Sequence, residues 1–197
     1  MLAILLSSTP AAFAQSEPET ALPNRNGFFV RMSTGFGVSE LNIDRGAVTT
    51  EARIPGLALD FSLGILAWRR LAVGGVMLLD AGSLSLEDAD PFFEDGDGAS
   101  ISTFGVTAAV YPFEGAGLHL GTAFGYSLLN VSLDESERES VRADGVGGAL
   151  WLGYDARFLK EWSIGSVLRA SAGRTSDGDD FVVTTRAIAV LLTAVYQ

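Results

Sequence analysis

The chain has 197 residues, 48% of them hydrophobic, a mean hydropathy of +0.30 and a formal net charge of −11. So acidic a balance excludes a nucleic-acid binder, whose phosphates demand a basic stripe, and the absence of cysteine excludes disulfide frameworks and thiolate metal sites. The length suits one domain, and past the first residues no apolar run reaches the ~20 residues of a spanning helix, so any membrane insertion must be by strands.

Residues 1–14, MLAILLSSTPAAFA, combine a short apolar run, Pro10 and the small-residue pattern Ala12-Phe13-Ala14, and read as a secretory signal peptide cut before Gln15. Residues 15–25 are polar, contain Pro18 and Pro23, and read as a flexible linker. The remaining residues, 26–197, are expected to form a single β-domain. NGFFVRMSTGFGVSELN opens it with strict alternation: Phe28, Val30, Met32, Phe36 and Val38 take one parity, and Phe29, Arg31, Ser33, Gly35 and Gly37 take the other.

The rhythm recurs in GLALDFSLGIL, LAVGGVMLL, ISTFGVTAAVYPF, GLHLGTAFGYSLL, VGGALWLGYDARF, WSIGSVLRASAG and FVVTTRAIAVLLTAVYQ. That makes eight strand candidates, each long enough for the ~9–11 residues of a tilted membrane strand. Between them, short connections (AWRR, PFEGAG, LKE) alternate with polar segments at 40–53, 81–100, 130–144 and 174–180. These four segments carry −1, −6, −3 and −2, together −12 against −11 for the whole chain, so the strands are nearly uncharged. Alternating short turns and longer external loops is the order of an outer-membrane barrel.

The parity opposite the large apolar residues is mostly Gly, Ala, Ser and Thr. That is too bare for a water-exposed surface, yet it fits the narrow interior of a closed eight-stranded barrel. The apolar parity is then the lipid face, and closure leaves no unpaired backbone in hydrocarbon. Phe28, Trp68, Tyr111, Phe113, Phe158, Trp162 and Tyr196 fall near the short-turn rim, and Phe36, Phe104, Tyr126 and Phe181 near the other, as aromatic girdles do. The fold expected is therefore all-β: an eight-stranded antiparallel up-and-down transmembrane β-barrel with short periplasmic turns and longer acidic external loops.

On these features, with YPFEGAGLHLGTAFGYS as a turn between two glycine-rich strands and AIAVLLTAVYQ as the closing strand, residues 26–197 resemble the small outer-membrane β-barrel superfamily of OmpA-type and OmpW-type barrels. The resemblance implies location in the outer membrane, contact with its lipid and lipopolysaccharide, and delivery by the barrel assembly machinery. That machinery reads a terminal aromatic preceded by alternating apolar residues. Ile188, Val190, Leu192, Ala194 and Tyr196 match the spacing, although Gln197 follows.

Five charged residues, Arg31, Asp60, Asp155, Arg157 and Arg169, fall on the inward parity, where pairing with one another offsets the cost of burial. With Val76, Leu78, Val167 and Leu191 also inward, they are expected to plug the lumen and leave no open porin. His119 faces inward near a short turn without a convincing triad, so a structural histidine is favoured over a lipid-modifying Ser-His-carboxylate site, and no catalytic residue is assigned. Arg186 lies on the lipid-facing parity ten residues before Tyr196, at the height of the outer headgroups, where it could meet lipid phosphate or simply snorkel. Asp88, Asp90, Glu94, Asp95 and Asp97 offer carboxylates to divalent cations but lack the ordered spacing of a calcium loop, so a solvated acidic loop is preferred, with no metal site or cofactor assigned. The reading favoured is a non-enzymatic barrel serving envelope structure or surface interactions. A narrow OmpW-like conduit for a small apolar molecule comes next, then a lipid-modifying barrel, then a soluble lipocalin-like binder.

Overall fold

The computed structural model describes residues 27–46, 48–68, 70–86, 97–113, 117–132, 141–178 and 181–197. The expected signal peptide and linker, and Asp88, Asp90, Glu94 and Asp95, lie outside the described residues. Eight long antiparallel strands form the wall: β1 (Phe28–Arg45), β2 (Val48–Trp68), β3 (Leu71–Ser83), β5 (Gly98–Val110), β6 (Leu118–Ser132), β7 (Val141–Arg157), β8 (Trp162–Ser176) and β9 (Val182–Tyr196). The two-residue β4 (Ser85–Leu86) continues β3 along β2, after Leu84 turns inward. Each long strand pairs with its chain neighbours, and β1 pairs with both β2 and β9, closing the sheet into a barrel without edges.

The register gives the shear. Glu40 on β1 opposes Arg186, and the same row runs on through Ala172, Gly148, Phe124, Val106, Gly75 and Leu63 to return to β1 at Val30. From 40 to 30 is a slip of ten residues in eight strands, which tilts the strands by roughly 40° and leaves an interior that side chains just fill. A constant height around the barrel therefore steps by a little over one residue per strand.

Side-chain alternation follows from the amino-acid pattern. Phe36, Phe124, Leu150, Val190 and Leu192 stand exposed on the outside, Phe36 at 75% and Leu192 at 71%. Outward residues change from apolar to polar at Val38/Glu40, Leu128/Asn130, Val146/Asp144, Ala172/Arg174 and Ile188/Arg186, and these switches fall within about two residues of one level once the shear is followed. From Phe28 to Val38 the belt spans ten residues of β1, about 25 Å of height at ~3.3 Å per residue, which is the hydrocarbon thickness an outer-membrane barrel covers.

Above that level the alternation inverts. On β1 the polar residues Glu40, Asn42 and Asp44 point outward and Leu41 and Ile43 point inward, both at most 2% exposed. They join Ala52, Ile54, Leu84, Ala99, Ile101, Leu129, Val131, Ala143, Phe181 and Val183 in one apolar cluster. The barrel thus continues beyond the lipid as a water-soluble barrel with an apolar core. The polar segment expected as a loop over 40–53 is consequently strand, with a two-residue turn at 46–47 where Gly46 adopts φ +59°. β8 and β9 likewise extend to Ser176 and from Val182.

Candidate functional site

The lumen is layered along its length. Near the short-turn rim, Arg31 at the start of β1 donates from Nη2 to Asp155 Oδ2 (3.0 Å) and to the Tyr111 hydroxyl (2.9 Å). His119 on β6, wholly buried, holds Nδ1 3.4 Å from Asp155 Oδ2 and 3.3 Å from the Gly117 carbonyl, with the Tyr111 ring 5.3 Å away centroid to centroid. Both oxygens near Nδ1 can only accept, so the ring proton belongs there and His119 braces Asp155 as Arg31 does.

The middle of the lumen is dry. Trp151 lies across it, packed against Ala58, Val167, Ala189 and Leu191 on one side and Val76, Leu78, Ala123 and Ala149 on the other. Its indole rests on Gly121, where a Cβ would come within 2.2 Å of the ring. Arg169, 1% exposed, reaches from β8 to both Asp60 on β2 and Asp80 on β3 and crosses the barrel with two charge-assisted hydrogen bonds. Beside Asp80, Thr103 and Ser127 share a hydroxyl hydrogen bond of 2.7 Å, in a polar cavity of about 20 Å³ also lined by Ser171 and Thr185. The apolar cluster of Leu41 and its neighbours closes the far end, capped by the Arg45 guanidinium 4.8 Å over the Phe181 ring.

Four of the five charged residues expected inside are there, and they separate into two groups: Arg31 with Asp155, and Arg169 with Asp60. Arg157 is corrected. It is the last residue of β7, beyond the level of Phe28 where the lumen opens to water, and its side chain is exposed. Asp80 and Tyr111 are additional members, although Asp80 is in phase with inward Val76 and Leu78, and Tyr111 with Thr107 and Ala109. Tyr111 and Phe181 are therefore not girdle residues: both are buried, at 6% each. Phe28, Trp68, Phe113, Phe158, Trp162 and Tyr196 do form the girdle, and Trp162 meets Tyr196 edge to face at 5.3 Å.

Asp97 is buried, and its carbonyl accepts from the Leu84 amide at 2.7 Å. Among the described residues no three His, Asp or Glu side chains gather as a cation would need. Arg186 points outward, opposite Glu40, at the level where the belt ends. Ile188, Val190 and Leu192 are exposed on the belt, while Ala194 and Tyr196 are half-buried on the same parity.

No protein-family model and no curated protein matches the chain. Among solved structures it is similar to the outer membrane protein OprG from Pseudomonas aeruginosa, with a TM-score of 0.53, 12% identity, and 88% of this chain and 98% of that one covered. It is also similar to Neisserial surface protein A (TM-score 0.51, 10% identity, covering 86% and 96%) and to the outer membrane protein AlkL, solved in DMPC bilayers (TM-score 0.51, 16% identity, covering 89% and 92%). At these identities the likeness is one of fold: the chain has the fold of the small outer-membrane β-barrels.

Proposed function

We propose that this chain is a non-enzymatic, non-conducting integral barrel of the outer membrane, contributing to envelope structure and presenting its extended strand ends and acidic connections to the surroundings. The observation that carries the reading is the sealed lumen: Arg31 with Asp155, Arg169 with Asp60 and Asp80, and the apolar cluster around Leu41 stand in series across it. Water and ions would have to break two buried charge networks and wet an apolar core to pass, and each carries a desolvation penalty of several kcal/mol. A catalytic role for His119 is disfavoured by its position, since a wholly buried ring held between Asp155, Gly117 and Tyr111 meets neither lipid nor water.

The test is single-channel recording of the refolded protein in planar bilayers. The sealed-lumen reading expects no steps above baseline. Regular conductance steps, abolished by blocking the lumen, would replace it with the narrow conduit. Arrival in the outer membrane rests on the expected export signal and on the closing strand from Ile188 to Tyr196 as an assembly signal.

A further inference from the structure

The geometry points to a seat for a phosphorylated glycolipid of the outer leaflet on one side of the barrel, the face formed by β2, β1, β9 and β8. Two independent features meet there. The first is charge at the upper edge of the belt. Following the shear, Arg53 on β2, Glu40 on β1, Arg186 on β9 and Arg174 on β8 lie within about one residue of the same level, all outward and exposed. The corresponding positions on β6, β5 and β3 are Asn130, Ser100 and Ser83, none of them charged. In a chain of net charge −11, arginines have thus been gathered on one arc of the headgroup level.

Between Arg53 and Arg186 lies a hollow of about 270 Å³ that Glu40, Asn42 and Glu51 also line. Arg53 Nε stands 3.7 Å from Glu40 Oε1. Guanidinium groups flanking such a hollow bind phosphate as planar, multidentate donors. The carboxylates and the amide beside them accept from hydroxyl groups. A site with both capacities suits a headgroup that carries phosphate on a sugar, whereas a purely anionic headgroup would meet the two carboxylates without compensation.

The second feature is an apolar groove directly below. Met32, Thr34, Leu59, Phe61, Ile164 and Leu192 line a channel of about 630 Å³ on the lipid face of the same strands. Arg186 and Leu192 are six residues apart on β9, about 15 Å of height, so an acyl chain hanging from a headgroup at the arginines would enter the groove within one leaflet of a ~30 Å core. Thr34 supplies the small side chain that keeps the groove open between Leu59 and Leu192, its partners across β2 and β9. The seat deepens the envelope role proposed above and rests on the barrel lying in the outer membrane.

Full-length protein would be refolded into phosphatidylcholine vesicles containing either rough lipopolysaccharide or phosphatidylglycerol, transferred to detergent, and its retained lipid counted by native mass spectrometry. The native chain is expected to retain lipopolysaccharide and to release phosphatidylglycerol. R53Q/R186Q should retain roughly tenfold less, as loss of charge-assisted phosphate contacts implies, and Thr34→Trp, which fills the groove while leaving the arginines in place, should lower retention as well. Both variants should keep the heat-dependent gel shift of a folded barrel. Retention unchanged in both variants overturns the seat, and equal retention of the two lipids reduces it to unspecific anionic attraction and overturns it too. Conductance in bilayers would defeat the sealed lumen without touching this outer face, so the two readings fail separately.

Discussion

Replacing Arg169 by methionine removes the only cation that joins Asp60 and Asp80 while nearly preserving side-chain length. The guanidinium is 1% exposed, and the two carboxylate side chains it bridges are 11% and 13% exposed, so water cannot take its place without entering the lumen. Removing one partner from a buried charge group costs about 3–5 kcal/mol, because the remaining charge stays buried and uncompensated. Here two carboxylates are stranded, which places the variant at the upper part of that range, or more than two decades in the folding equilibrium. Urea unfolding of the barrel refolded into phospholipid vesicles at neutral pH would read the loss as a lower midpoint at unchanged slope. The triple variant with Arg169→Met, Asp60→Asn and Asp80→Asn should recover most of it, since a fully neutral replacement of a buried ion group is often neutral or stabilising. A loss below about 1 kcal/mol for Arg169→Met alone would show that water reaches Asp60 and Asp80, and the sealed middle of the lumen would have to be abandoned.

Other variants probe the remaining layers. Leu192→Arg places a guanidinium near the middle of the belt and should cost about 2–4 kcal/mol in the same unfolding assay, whereas Val38→Arg, at the edge, should cost no more than about 1 kcal/mol; equal costs would contradict the assigned belt. Gly121→Ala puts a Cβ within 2.2 Å of the Trp151 indole in a lumen with no spare room, and should destabilise by about 1–3 kcal/mol with a shift in tryptophan emission. Tyr196→Ser should lower the amount of barrel recovered from outer membranes in cells while leaving refolding into vesicles nearly unchanged. A parallel loss in both would make Tyr196 a stability residue and not an assembly signal.

The sequence announced the barrel because lipid and lumen demand opposite residues at successive positions, and the pairs Val30/Arg31 and Phe36/Gly37 state that demand directly. Strand ends were legible only in part. Glu40, Asn42 and Asp44 looked like loop because polar composition dominates there, yet the alternation had continued with its sense reversed, Leu41 and Ile43 turning inward where the outside meets water. Composition reports the solvent, and the solvent changes at the membrane surface while the strand does not.

For the lumen site, parity alone located Arg31, Asp60, Asp155 and Arg169, but not which carboxylate each arginine meets, because partners come from strands distant in sequence: Arg31 and Asp155 are 124 residues apart. Asp80 was overlooked although it shares the phase of Leu78, since it closes its apolar segment and reads as the start of a loop. Arg157 shares the phase of Asp155 yet lies past the rim, where parity no longer implies burial. Tyr111 and Phe181 sit at strand ends as girdle aromatics do. Only the register shows that one hydroxyl reaches Arg31 and the other ring roofs the inner cluster.

The central claim is that the large apolar residues face lipid and that the pattern inverts above them. Because the chain has no cysteine, single cysteines can be placed and spin-labelled at each position from Thr184 to Tyr196 of β9 in the vesicle-inserted barrel. The account predicts that labels at 188, 190, 192 and 194 relax with dissolved oxygen and not with an aqueous nickel reagent, that 187, 189, 191 and 193 respond to neither, and that 184 and 186 respond to the nickel reagent. Nickel-sensitive labels at 190 and 192 would put those side chains in water and contradict it.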